Sequence, residues 1–284
     1  MPSIAIITDT DASLSFELAG RYNIRQVPIT IHFGEELLRA NYDIDDQGLF
    51  ERIDREGVLP TTSAPAPGAF AAAYEEAFKE GADTVICITV SGEISATYTA
   101  AMVAAETMPG NDITVIDSRN LSLAQGFVVL AAAEAAQAGA SKDEIAAHAR
   151  DIATRTHLYA SLDTLKYLAM SGRVGHLAAG MANVLNIKPI LTMQDGKLEM
   201  LEKVRTRKKA TARVVELTKE ALGDQPIERM GFVHVAAPEG MATLEEQVRA
   251  AIDCPEEVTH GELTAGLSVH SGKGMVGVTF VTGK

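Results

Sequence analysis

Short β-branched runs alternate along the chain with longer alanine-rich segments of helical period, and this alternation predicts an α/β architecture rather than a sandwich or a bundle. The strand candidates are SIAIITD at 3–9, RQVPITIHF at 25–33, DTVICITV at 83–90 and DITVIDS at 112–118. Three of them are too continuously apolar to have a wet face, so they read as central, parallel and buried. Helices are predicted near 13–22, 45–57, 67–81 and 95–108, the third opening on Pro67 where a missing N–H costs nothing. Residues 122–155 read as almost wholly helical with a break at AGASKDE, where Ser141 and Glu144 have capping-box spacing.

The composition shifts after residue 157, and a domain boundary is placed near 156, giving an N-terminal α/β domain over 1–156 and a C-terminal α+β domain over 157–284. In the second domain LYASLD is strand-like, and TLKYLAMSGRVG contains a short helix stopped by Gly172. IKPILTM and KLEMLEKVR form a hairpin turning on Asp195-Gly196, a pair that favours the positive φ angles of a type I′ turn. A basic helix at 206–222, strand ERMGFVHVA, helix MATLEEQVRAAI, strand EEVTHGELT and a final strand VGVTFV complete the unit. The expected fold class is therefore α/β in two domains, with a mostly parallel N-terminal sheet flanked by helices.

Length supports the division, because 284 residues lie at the size where single cores stop growing. Lys plus Arg minus Asp plus Glu gives 25 − 38 = −13, a charge that repels a polyanion and argues against nucleic acid as a partner. No stretch approaches the roughly 18 apolar residues of a membrane span, so no integral membrane association is expected. The opening MPSIAIITDT has neither a basic n-region nor a small-residue cleavage site, which predicts a cytoplasmic protein. Cys87 and Cys254 form no C-x-x-C pair, and both read as structural thiols.

Several familiar motifs fail. Gly272, Gly274 and Gly277 spell G-x-G-x-x-G, but only seven residues follow Gly277 and no helix can open there to bind a dinucleotide. Lys273 is not part of a Walker loop, because Leu267 stands where its first glycine belongs and Gly274 where Ser or Thr should bind magnesium. The seven histidines have no metal-ligand spacing, and no G-x-S-x-G elbow occurs, so neither a metal nor a cofactor is expected. The run from Lys203 to Arg213 carries six cations and reads either as a solvated helix face or as a patch for an anionic partner.

Hydroxyl-rich loops remain. TTSAPAP at 61–67 and VSGEISATYTA at 90–100 are turns of the kind that bind small anions at the carboxyl ends of parallel strands. With TDT at 8–10, VIDS at 115–118, LKYLAMSGRV at 165–174, IKPIL at 187–191, VRTRKKA at 204–210 and VHSGKG at 269–274, these segments in this order resemble the DegV family of bacterial lipid-binding proteins.

That resemblance implies a long-chain fatty acid such as palmitate, stearate or oleate, buried in a pocket between the two domains. It also implies a partner, a dihydroxyacetone-kinase-like subunit of a fatty acid kinase, that phosphorylates the carboxylate to an acyl phosphate used in phospholipid synthesis. By the same resemblance Thr62, Ser63, Ser95 and His270 hold the carboxylate, Arg205 lies near it, and Arg173 contacts the kinase. Gly92, Ala96 and Lys273 depart from the family pattern. The chain itself then has no catalytic residue, since an ionised carboxylate is already a nucleophile and needs only to be placed in line with a phosphate. About 15 buried carbons at about 0.8 kcal/mol each give a gross burial free energy near 12 kcal/mol, so the tail dominates affinity. Rival readings are an autonomous hydrolase or transferase using Ser95 or His270, and a lipid-sensing regulator.

Overall fold

The computed structural model describes residues 3–172 and 187–284. The N-terminal half contains β1 (Ile4–Asp9), α1 (Phe16–Arg21), β2 (Ile24–Val27), β3 (Thr30–Phe33), β4 (Glu36–Arg39), α2 (Asp46–Glu56), β5 (Thr61–Ser63), α3 (Pro67–Lys79), β6 (Thr84–Thr89), α4 (Thr97–Glu106) and β7 (Asp112–Asp117). Two helices follow, α5 (Ser122–Gln137) and α6 (Lys142–Arg155). The C-terminal half contains β8 (Thr156–Ser161), α7 (Lys166–Met170), β9 (Lys188–Gln194), β10 (Lys197–Val204), α8 (Arg207–Leu222), β11 (Ile227–His234), α9 (Pro238–Ala251), β12 (Thr259–Glu262), α10 (Ala265–Ser271) and β13 (Val276–Thr282).

The apolar runs form a parallel sheet in the order β2-β1-β6-β7. Every residue of β6 is buried, as a strand covered by helices on both faces requires. The expected single strand over 25–33 is corrected to two. Pro28 lies between β2 and β3, and the chain there leaves the parallel sheet for a separate antiparallel one ordered β4-β3-β5. TTS, read from sequence as part of a loop, is strand β5 of that small sheet.

The second half is a six-stranded sheet ordered β10-β9-β8-β13-β11-β12, antiparallel except for the β11–β12 pair. The expected hairpin turn is present, with positive φ at both Asp195 and Gly196. Ser141 and Glu144 complete the expected capping box at α6, and Pro67 opens α3.

Helix α5 joins the halves. Residues Ser122 to Ala133 are all buried, because the helix packs on β1 and β6 of the first sheet and on β8, β11 and β13 of the second. A helix apolar all round is the expected result of such a position. One hydrophobic cluster accordingly runs through Ile6, Ile86, Phe127, Leu158, Leu191 and Val233, so the contact between the halves has the character of a core. Cys87 is buried in the parallel sheet and burial pushes its thiol up to about 12, which leaves it inert.

Candidate functional site

The TDT segment is a knot at the carboxyl end of β1. Asp9 is buried and its carboxylate accepts from the backbone N–H of Asp11 at 2.9 Å, of Val90 at 2.8 Å, and from Gln125 Nε2 at 3.2 Å. Burial raises its pKa to about 6 against those three hydrogen bonds, which favour the charged form. Thr10 Oγ1 accepts from Ile29 N–H at 3.0 Å, fixing the chain where it enters the small sheet. This segment therefore braces the strand ends and the start of α5 without presenting a free group.

Strand β5 pairs with β3 so that Thr62 lies opposite Ile31 and Ser63 opposite Thr30. Successive side chains point to opposite faces of a strand, and these two have different partners. Thr62 Oγ1 meets His270 Nε2 at 2.8 Å, joining residues 208 apart in sequence. Ser63 Oγ meets His32 Nε2 at 2.8 Å on the other side. His270 occupies the last turn of α10, just before Gly272.

His270 lines a cavity of about 620 Å³, well inside the range of small-molecule sites. Leu158 and Ala160 line it from one face of β8, and Leu162 lies just past the end of that strand. Leu191, Val233, Leu267 and Met275 complete an apolar wall, and Leu168 and Gly172 border it from the α7 side. The polar side chains on its wall include His270 and Ser271 from α10 and Glu93, Lys197 and Glu199 from the region of the β9–β10 turn.

Beside Glu93 and Lys197 the β9–β10 turn is fastened to the N-terminal half. Ser91 Oγ donates to the Gly196 carbonyl at 2.6 Å, Arg119 Nη2 donates to the Asp195 carbonyl at 2.5 Å, and Lys197 Nζ lies 3.8 Å from Glu93. A Cβ at Gly196 would come within 2.9 Å of Ser91 Oγ, so both the positive φ and the close approach call for glycine.

Not all expected site residues converge. Ser95 follows the wall residue Ile94, but its Oγ meets Thr97 Oγ1 at 2.8 Å and accepts the Thr97 N–H at 3.3 Å at the start of α4. No hydrogen bond joins Ser95 to His270 among the described residues, so the pairing an autonomous serine enzyme would use is not formed there. Arg205 is exposed at the end of β10, outside the cavity wall. Arg173 lies outside the described residues.

Two of the departures, Lys273 and Gly92, have local explanations. Lys273 bonds Asp54 at 2.6 Å and lies 5.2 Å from the centre of the Phe50 ring, so its charge is committed to α2. Gly92 sits against Asp117, whose Oδ2 accepts its N–H at 3.2 Å. Gly272, the first glycine of the failed dinucleotide motif, has the Tyr167 ring where a Cβ would stand, so that cluster serves packing of α7. Of the basic run, Arg213 is tied to Glu202, Glu216 and Glu220, and Arg207 to Asp163. Lys203, Arg205, Lys208 and Lys209 are exposed without an ion pair among the described residues.

The sequence model described as "Uncharacterised protein, DegV family" matches residues 3–283. A DegV domain-containing protein of Streptomyces coelicolor is 35% identical over 275 residues, covering 97% of each chain. Protein DegV of Bacillus subtilis is 32% identical over 277 residues, covering 97% of this chain and 98% of its own. Among solved structures, a DegV family protein from Thermus thermophilus, described for its fatty acid binding, superimposes with a TM-score of 0.92 at 32% identity, covering 99% of both chains. The structure of DegV from Bacillus subtilis, described as a fatty acid binding protein, gives 0.88 at 30% identity with both chains covered fully. With an ordered series of motifs, a two-domain α/β fold and full-length relatives in agreement, this chain belongs to the DegV family.

Proposed function

We propose that this protein binds one long-chain fatty acid in the apolar cavity and acts as a carrier with no catalytic step of its own. The supporting observation is an apolar cavity of about 620 Å³ between the two halves whose wall carries His270, itself 2.8 Å from Thr62. Aliphatic walls suit a tail whose burial supplies most of the affinity, and a hydroxyl with an imidazole suits a carboxylate that must exchange water for protein hydrogen bonds. Thr62 and His270 are the primary contacts in this reading. Ser63 supports them through the β5 strand and His32, and Ser95 and Arg205 would reach the carboxylate only after local rearrangement. We place the division between the domains at residue 156.

The carrier then presents the carboxylate to a dihydroxyacetone-kinase-like partner, which supplies the phosphoryl group from ATP. Carboxylate oxygen attacks the γ-phosphorus and ADP leaves, so the carrier's role is placement. The work is expected in the cytoplasm. No helix among the described residues is long and apolar enough to cross a membrane.

Denaturing extraction of purified protein, followed by mass spectrometry, tests the first step. About one fatty acid per chain is expected, and the emptied protein should be stabilised by oleate in proportion to its concentration. Protein that neither carries nor takes up a fatty acid overturns the reading. The second step is tested by adding ATP and the partner: acyl phosphate should form only with both components. Arg173→Ala should lower that rate at limiting carrier without weakening oleate binding.

A further inference from the structure

A second cavity, of about 380 Å³, lies where the segment entering α1, the turn before α2 and the β12–α10 connection meet. Leu263, just before α10, lines both this cavity and the one proposed for the fatty acid. Its wall carries three carboxylates, Asp45, Asp46 and Glu262, and neither Lys nor Arg. The one imidazole on the wall, His260, is held by Glu245 at 2.6 Å.

The polar groups on this wall divide into those the fold uses and those it does not. Asp45 caps α2 by accepting the Gly48 N–H at 2.8 Å, Ser15 caps α1, and Asn41 Oδ1 accepts the Ala265 N–H at 3.2 Å. Asp46 is different: it is 4% exposed and neither carboxylate oxygen has a hydrogen-bond partner. Thr264 Oγ1, in a residue 2% exposed, and Ser13 Oγ, in one 5% exposed, are also without partners. Ser268 lies beside the Asp46 carboxylate and eases its charge without reaching hydrogen-bond geometry. A buried carboxylate and two buried hydroxyls left unused by the fold are costly, and they converge on one cavity.

We infer that this cavity is a binding site for a small primary alkylammonium ion, with Asp46 as its anionic anchor and Thr264 and Ser13 as hydroxyl acceptors. An ammonium head has three donors and no acceptor, the complement of this wall. Leu14, Leu18 and Phe16 supply an apolar side for a short alkyl body, and Phe16, 54% exposed, packs edge-on against Tyr42. A metal ion fits less well, because no three acidic, histidine or cysteine side chains converge to ligating distance among the described residues.

The titration of the Asp46 carboxyl is consistent with this. Burial, with smaller contributions from the charges of Glu262 on β12 and Asp45 on its own turn, raises the Asp46 carboxyl to about 7. A bound cation favours the ionised form, so binding near neutral pH is accompanied by proton release.

Calorimetric titration of the full chain with 1-aminobutane and 1,4-diaminobutane tests the site, with 1-butanol and potassium chloride as controls. Saturable binding of one amine per chain is expected, with heats at pH 6.5 that vary with buffer ionisation and no response to butanol or potassium. Asp46→Asn should weaken binding roughly tenfold or more and Thr264→Val by a smaller factor, since a charge-assisted bond is worth about twice a neutral one. Thr264→Val keeps the test available if Asp46→Asn alters folding. Absence of saturable binding, equal binding of butanol, or undiminished affinity in both variants overturns the proposal and leaves the cavity to water.

Discussion

The two cavities that share Leu263 present opposite chemistry. The larger one is walled mainly by Leu, Val, Ala and Met, with His270 already paired with Thr62, so its wall offers chiefly apolar surface. The smaller one is lined by carboxylates and hydroxyls, several of them buried with no hydrogen-bond partner in the fold. A ligand for the first gains from area, with polar contacts supplying orientation, whereas a ligand for the second gains from charge. Four substitutions can separate these cases.

The largest effect is expected at the acidic cavity. The Asp46 pKa is about 7 in the fold against an ordinary 3.8, so the stability tied to its neutral form is present at low pH and lost as pH rises from about 4 through 7. Asp46→Asn removes that loss. Without added amine, the variant should exceed the parent by roughly 3–4 kcal/mol at pH 8 and by little at pH 4, read by urea unfolding. A variant no more stable than the parent at pH 8 would show that its carboxylate is stabilised in the fold, and the contrast between the cavities would collapse.

At the apolar cavity, Leu198→Asp places a charge on a wall position that is not fully buried, so folding should survive. Oleate affinity should fall about a hundredfold, in line with several kcal/mol for a charge that cannot be paired against a tail. Unchanged affinity would place the acyl chain elsewhere.

Thr62→Val tests how much the polar end adds. It removes the hydroxyl that meets His270 while keeping the β-branched shape suited to β5, and should cost roughly 1–2 kcal/mol in oleate affinity. A loss as large as that of Leu198→Asp would mean that the head group, not the tail, governs binding.

The smallest effect is expected at the turn of the β9–β10 hairpin. Ser91→Ala deletes the bond to the Gly196 carbonyl and should lower stability by about 0.5–1.5 kcal/mol. Amide exchange should rise around Lys197 and Leu198, while exchange at Asp46 and the acidic cavity stays as in the parent. Equal change at both cavities would show that the halves open as one unit.

Local signals settled much of this protein before any contact was known. Continuous apolar runs with alanine-rich helices between them specify a parallel sheet, and Asp195-Gly196, Ser141 with Glu144, and Pro67 each specify a turn or cap, because these properties depend on neighbours in the chain. The ordered motifs were enough to point to the family. Tertiary structure alone decided the rest. Pro28 divides one apparent strand between two sheets, since which sheet a strand joins depends on partners far away. Thr62 and His270 meet across 208 residues only because β5 pairs with β3 and α10 packs beside them. Nothing in the run DIDDQ distinguishes Asp46 from Asp45. One caps a helix in solvent and the other is sealed without a partner, because burial and dielectric are properties of what packs around a side chain and are not written in its neighbours.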